Sequence, residues 1–189
     1  MPSAYAPGPW LTCTRRVAGL HALWCSRGDT LCDEMLKFPS DLYAQMLAHC
    51  LRGLPDEACG LLGGLPDAGQ VERCYLTRNA AASAKLYSVE PAEHLAADRD
   101  AERSGMEIIG VFHSHTHTEA FPSPTDVAQA PDPGWHYVLV SLRDACPVVR
   151  SYRILGTTVE EEPVVVQGTV VWSATTRSPV AGAMAADSA

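Results

Sequence analysis

The sequence lacks the cysteine patterns of disulfide frameworks and of cysteine-ligated zinc sites. Its seven cysteines, an odd number, have no regular spacing, and none belongs to a CxxC pair. Such a set supports neither a small secreted scaffold nor a zinc ribbon. A reducing, cytoplasmic environment is therefore expected.

Apolar runs long enough for a membrane span are also absent. None approaches the roughly 18 residues that such a helix requires. Arg15-Arg16 and the apolar residues after them only faintly resemble an export signal, because His21 interrupts the run and no A-x-A cleavage site follows. We expect neither export nor a membrane partner.

Positive charge is scarce. The chain of 189 residues carries a net charge of -8, and residues 35–167 hold 18 acidic against 10 basic side chains. Without a stripe of Lys or Arg, nucleic acid is not expected as a partner, and a basic protein surface suits this domain better. The length and an apolar fraction of 47% fit one domain with a full core.

Three regions differ in composition. Residues 1–34 have no hydrophobic period and several Pro and Gly residues, so we expect a poorly ordered N-terminal extension, although Trp10 and Trp24 could dock on the domain. Met35 could itself be a start codon. Residues 35–167 are the predicted domain, and residues 168–189, dominated by small residues, are expected to form a disordered C-terminal tail.

Helical and strand patterns succeed one another in the predicted domain. A first helix is expected at residues 41–52, with Ser40 as N-cap, a left-handed stop at Gly53 and an apolar stripe that includes Leu51. His49 lies off this stripe and is expected in solvent. Proline at the first position predicts two more helices, at residues 91–104 and 124–130. The predicted strands are residues 57–64, 70–77, 106–112, 136–142, 148–155 and 157–166, the last three forming a meander. This succession predicts a layered α/β domain.

Metal-ligand chemistry is concentrated just after the strand predicted at residues 106–112. In an extended chain His113 and His115 project from one face, and the Asp126 carboxylate can lie close to both imidazoles. Two imidazoles and one carboxylate suit zinc and leave its fourth position for water, which is typical of a catalytic site. The segment from Ser123 to Asp126 also predicts a helix start, with Ser123 as N-cap.

Five positions together resemble the JAMM (MPN+) zinc metalloprotease motif. They are Glu57, in the segment Pro55-Asp56-Glu57-Ala58-Cys59, and then His113, His115, Ser123 and Asp126, with one residue between the histidines, seven before Ser123 and two before Asp126. The likeness extends from about residue 39 to residue 166. It implies a single-domain α-β-α sandwich with a mixed sheet, similar in fold to cytidine deaminases. Deaminase chemistry is not expected, since the H-x-E and P-C-x-x-C signatures are missing.

The same resemblance implies hydrolysis of an amide bond. One zinc ion per chain would be held by His113, His115 and Asp126. Glu57 would move the proton, and Ser123 would stabilise the oxyanion.

Several alternatives stay open at these positions. Position alone allows Asp56 instead of Glu57 as the base, and capping competes with oxyanion binding for the Ser123 hydroxyl. His117 stands near a position where many family members have proline, and it could compete as a ligand or lie exposed. Cys59 could line the site or be a small buried apolar residue.

Residues 118–123 and 136–141 resemble most closely an actinobacterial branch of this family. Its members release cysteine from the carboxyl terminus of a ubiquitin-like sulfur carrier protein, a step of cysteine biosynthesis. The resemblance therefore implies a carrier with a C-terminal Gly-Gly-Cys as partner. The alternatives are a broader deubiquitinase-like or desampylase-type isopeptidase and a non-catalytic MPN scaffold.

Overall fold

The computed structural model describes residues 35–65 and 68–172, so the predicted N-terminal extension lies outside the described residues. The elements, in chain order, are β1 (Leu36–Phe38), α1 (Ser40–Gly53), β2 (Cys59–Leu65), β3 (Gln70–Thr77), α2 (Pro91–Arg103), β4 (Glu107–His115), α3 (Pro124–Gln129), β5 (His136–Ser141), β6 (Val148–Leu155), β7 (Thr158–Glu162), β8 (Val164–Val166) and β9 (Thr169–Trp172).

Within the described residues the strands form one mixed sheet in the order β7-β6-β5-β4-β2-β3-β1-β8-β9. β4 pairs antiparallel with β2 and parallel with β5, which places it inside the sheet. β7 and β8 are joined through Pro163 alone, yet they pair with strands near opposite ends of the order. Because one residue spans only about 3.5 Å, the sheet must curl so that these ends approach each other.

Two apolar clusters cover the two faces of the sheet. Met46 of α1 packs with Leu62 and Val138 on one face. Ala97 of α2 belongs to the other cluster, with Leu61 and its neighbours. Since Leu61 and Leu62 are adjacent in one strand, their side chains point to opposite faces, and the helices cover the sheet from both sides. The predicted α-β-α sandwich is confirmed.

The ends of α1 differ from the prediction. Its N-cap is Pro39, without a side-chain cap bond, and the Ser40 hydroxyl instead accepts a hydrogen bond from the Gln167 amide at 2.6 Å. Gly53 does not take a positive φ. A Cβ at Gly53 would lie 2.7 Å from the Ala58 Cβ, so glycine permits close packing here rather than a left-handed stop.

Two residues of α1, Leu51 and His49, also differ from the predicted burial. Leu51 is 46% exposed instead of packed in the core. His49, predicted to lie in solvent, is half-buried, with its Nε2 3.1 Å from the Cys59 carbonyl and 3.2 Å from the Thr77 carbonyl. Its ring meets Phe112 edge-on. His49 therefore fixes the helix to β2 and β3.

The strand predicted at residues 157–166 is divided by Pro163. Proline has no N–H for a strand ladder, and the chain changes partners there, so that β7 completes the meander while β8 pairs parallel with β1. The tail predicted from residue 168 is wrong in its first part, since Thr169–Trp172 form β9 against β8. Residues 173–189 lie outside the described residues.

Other local predictions agree with the structure. The strands Gln70–Thr77 and Val148–Leu155 have the expected bounds. Pro91 begins α2, and Gly105 follows the helix with a φ of 68°. In the described part of the chain, no helix combines the length and apolar character needed to cross a bilayer.

Candidate metal centre and active site

The last residues of β4 carry the two histidines. Along this strand Val111, His113 and His115 alternate with Phe112 and Ser114, so the imidazoles share the face that carries the α2 cluster. Flanking strands on both sides leave only 2% of His113 and 5% of His115 exposed. A histidine buried this deeply needs a partner for each ring nitrogen.

Asp126 approaches the histidines from the first turn of α3. Its Oδ1 lies 3.6 Å from the His113 Nε2, and its Oδ2 lies 3.6 Å from the His115 Nε2. The two Nε2 atoms are 3.1 Å apart. Ligands bound at about 2.0–2.1 Å to one tetrahedral zinc lie about 3.3–3.4 Å from each other, so these separations fit a shared metal.

The hydrogen bonds around the rings favour metal binding as well. The Nδ1 of His115 is 2.7 Å from the Glu119 carbonyl oxygen, to which it donates its hydrogen. In this tautomer, with the hydrogen on Nδ1, the Nε2 has a lone pair directed at His113 and Asp126. That lone pair is what binds a metal. On the other side Tyr87 stacks on His113 with ring centroids 4.1 Å apart and fixes the plane of that ring.

Burial and neighbouring groups keep the carboxylate and one imidazole in metal-binding form. Burial alone would raise the pKa of Asp126, but the adjacent imidazoles of His113 and His115 hold it well below its ordinary value. Burial lowers the pKa of His113 and outweighs the attraction of Asp126. For His115 burial acts in the same direction, yet the nearby Asp126 carboxylate and the hydrogen bond to the Glu119 carbonyl oxygen leave its pKa raised.

Glu57 lies at the same site, two residues before β2 begins. It is 6% exposed, and burial raises its pKa from 4.5 to about 7, with His115 lowering it and Asp126 raising it further. The charges of both residues therefore act on this carboxyl group. A pKa close to neutral pH allows Glu57 both to accept and to give up a proton.

Ser123 forms the predicted cap of α3, and the cap includes Asp126. The Asp126 N–H donates to the Ser123 Oγ at 3.2 Å, while the Ser123 N–H donates to the Asp126 Oδ2 at 2.7 Å. The Asp126 carboxylate thus takes part in the helix cap and also lies beside both histidines. An oxygen that accepts in the cap keeps its own hydrogen, so the cap by itself does not use the Ser123 hydroxyl as a donor.

The two remaining candidates lie differently. His117 is exposed, and its Nδ1 contacts the Thr116 hydroxyl at 2.6 Å. Cys59 is turned towards β3, where its thiol contacts Thr77 and the Arg78 carbonyl oxygen, and burial raises its pKa to about 11. In the described residues, the side chains that could jointly hold a metal ion are those of His113, His115 and Asp126.

Ser114 supports the candidate site, and the sequence analysis did not predict this role. Its hydroxyl accepts the Ala58 N–H at 2.9 Å, and its own N–H donates to the Ala58 carbonyl oxygen at 2.9 Å. The residue between the two histidines thus ties β4 to the segment that carries Glu57. A polar residue on the buried face of an apolar strand was the available signal.

Comparisons with known proteins agree with this geometry. Residues 39–155 match the family of prokaryotic homologs of the JAB domain. A CysO-cysteine peptidase from Mycobacterium tuberculosis is 44% identical over 131 residues, which cover 69% of this chain and 90% of the relative. A desampylase from Haloferax volcanii is 32% identical over 111 residues, covering 56% of this chain and 80% of that protein.

A solved structure extends the likeness to three dimensions. The solution structure of a protein from Desulfitobacterium hafniense matches with a TM-score of 0.65 and 38% identity, covering 70% of this chain and 93% of that one. The resemblance predicted from the five motif positions is therefore confirmed. The chain belongs to the prokaryotic JAB domain family and is a peptidase-type hydrolase.

Proposed function

We propose that this protein is a zinc-dependent peptidase that hydrolyses the amide bond before a C-terminal cysteine on a ubiquitin-like sulfur carrier protein. The observation that carries the proposal is the convergence of three ligand atoms with a buried carboxyl group whose pKa is about 7. The choice of substrate is supported by the identity of 44% to the CysO-cysteine peptidase, of which the chain covers 90%.

In this proposal His113, His115 and Asp126 hold one zinc ion per chain. When bound, zinc supplies a Lewis acid and lowers the pKa of water. The Glu119 carbonyl oxygen keeps His115 in the required tautomer, and the cap of α3 orients Asp126. These supporting contacts come from the chain itself and leave little rotational freedom in either ligand.

Glu57 is the proposed proton carrier. Without metal, burial raises the pKa of Glu57 to about 7, and a bound cation would favour the ionised form, which can take a proton from the attacking water. The protonated acid then gives this proton to the amine of the departing cysteine. Because only 6% of Glu57 is exposed, exchange of this proton with bulk water between the two steps is limited.

Ser123 is the proposed oxyanion donor. Since its oxygen already accepts the Asp126 N–H, the hydroxyl is fixed in position while its hydrogen is available. A donor of this kind contributes about 2.7–4 kcal/mol to stabilisation of a tetrahedral oxyanion. Asp126 thus links the ligand set to the proposed oxyanion donor through one reciprocal pair of hydrogen bonds.

A second candidate function is the removal of whole ubiquitin-like tags from other proteins. It is favoured by the identity of 32% to the Haloferax volcanii desampylase. A non-catalytic scaffold is disfavoured, because all residues of the ligand set are present together with the buried Glu57.

Intact-mass spectrometry of a carrier–cysteine adduct tests the substrate. Incubation with the zinc-loaded protein should remove the mass of one cysteine residue, and Glu57→Gln should remove most of this activity while Asp56→Asn retains it. Unchanged adduct, alongside cleavage of a carrier–protein conjugate, would favour the desampylase-type function. The reverse behaviour of the two carboxylate variants would assign the base to Asp56.

Elemental analysis tests the metal separately from turnover. We expect about one zinc per chain in the wild type and a marked loss in His115→Ala. Equal zinc in both proteins, or none in the wild type, would contradict the proposed ligand set.

A further inference from the structure

The backbone of Glu57 is not held by the sheet. β2 begins at Cys59, so Glu57 lies in a connecting segment after the end of α1. Its N–H donates to the Ser83 carbonyl oxygen at 2.9 Å, and its carbonyl oxygen accepts from the Asn79 side chain at 2.9 Å. Both main-chain groups of this residue are therefore bound by the segment at residues 79–88.

Asn79 uses the whole capacity of its amide in this segment. Its nitrogen donates to the carbonyl oxygens of Glu57 and Leu86, each at 2.9 Å. Its oxygen accepts the backbone N–H groups of Ala81 and Ser88, each at 3.0 Å. Aspartate has the same shape but lacks the two N–H donors, so only asparagine satisfies all four partners.

The loop that Asn79 organises reaches the candidate metal centre at two further points. The Thr116 hydroxyl, one residue after the second histidine, donates to the Ala84 carbonyl oxygen at 3.1 Å. Tyr87 stacks on His113. The loop at residues 80–88 therefore touches the proposed base and a proposed ligand, and Asn79 fixes both ends of it.

We propose that Asn79 is a positioning residue for Glu57, holding the main chain of the proton carrier at its working distance from the metal ligands. This inference rests on the proposed function. The Asn79 side chain acts through the backbone of Glu57, so its loss should affect turnover rather than the binding of the carrier. A misplacement of about 1 Å in a reacting group can cost on the order of 100-fold in rate.

Asn79→Asp is the most informative variant, because it keeps the acceptor for Ala81 and Ser88 and removes the two donors. In the zinc-loaded full chain, we expect kcat for cysteine release to fall about 10- to 100-fold, with KM within about twofold of wild type and zinc content unchanged. Val164→Ala is the control, since this buried residue of β8 lies outside the loop and its loss lowers stability. The control should keep kcat.

A double-variant cycle separates positioning from general loosening. If Asn79 acts through Glu57, adding Asn79→Asp to Glu57→Gln should cause no further loss of the residual turnover. An equal loss in both backgrounds, an unchanged kcat in the single variant, or a matching loss in Val164→Ala would overturn the inference.

Hydrogen exchange gives a readout that does not need turnover. The Glu57 amide should exchange faster in Asn79→Asp than in wild type, because the loop that carries its acceptor is released. If the wild type releases no cysteine, the proposed substrate fails on its own, and unchanged exchange at Glu57 would still refute the positioning role. If Asn79→Asp does not fold, Asn79→Ala, which adds no charge, serves in both measurements.

Discussion

Glu57→Gln is expected to stabilise the metal-free protein at pH 8 far more than at pH 5. Burial raises the pKa of Glu57 from 4.5 to about 7 in the folded protein. An acid whose pKa rises on folding contributes stability that is complete below its unfolded pKa and is lost as the pH rises through the folded value. Glutamine has the size of the protonated acid and does not ionise, so the variant escapes this loss.

The expected size follows from these pKa values. Relative to the glutamine variant, the wild type should lose roughly 2–3 kcal/mol in the free energy of unfolding between pH 5 and pH 8. A typical domain is stable by about 5–15 kcal/mol, so a change of this size is readily measured.

Urea denaturation of chelator-treated protein at the two pH values is the assay. Wild type, Glu57→Gln and the non-ionisable control Val164→Ala should be compared, and the control should differ from wild type equally at both pH values. Zinc should shrink the pH dependence, because a nearby cation favours the carboxylate. A difference between wild type and Glu57→Gln that stays constant from pH 5 to pH 8 would refute the argument from burial.

Three further substitutions test individual contacts. Ser123→Ala should lower kcat about 100- to 1000-fold while zinc is retained, as measured by turnover and elemental analysis; a change in KM alone would contradict the oxyanion role. Ser114→Ala should lower the free energy of unfolding by about 1–3 kcal/mol, because the buried Ala58 N–H loses its acceptor. Gly60→Ala should destabilise by about 1–3 kcal/mol or more in thermal melts, since its Cβ would lie 2.3 Å from the Phe112 ring and 2.4 Å from the Tyr75 carbonyl oxygen; an unchanged melting temperature would show that β2 can shift.

The features that were predictable from the sequence depend on short stretches of chain. Alternation along β4 brings His113 and His115 to one face, and the cap of α3 requires only Ser123 and the three residues after it. Helix starts at proline are equally local. For this reason the sequence near each of four motif positions predicts its local structure. These positions are His113, His115, Ser123 and Asp126.

The features that escaped prediction depend on partners far away in the chain. His49 was assigned to solvent because its acceptors belong to two strands that helical periodicity does not reveal. The change of partner at Pro163 and the pairing of β9 depend on the curl of the whole sheet. The role of Asn79 has no local signal in the sequence, since its contact with the Glu57 carbonyl oxygen spans 22 positions.

The pairing of β1 with β8 has a consequence for the order of assembly. Leu36 is the first paired residue of the described chain, and its partner Val164 is among the last. During synthesis β1 emerges early. It cannot pair with β8 until nearly the whole domain has left the ribosome. Closing so long a loop costs entropy and slows folding, whereas the β2–β3 hairpin and the meander of β5, β6 and β7 can form from near neighbours. The ladder that closes the curl is therefore expected to form last, after the strands around the histidines have already paired.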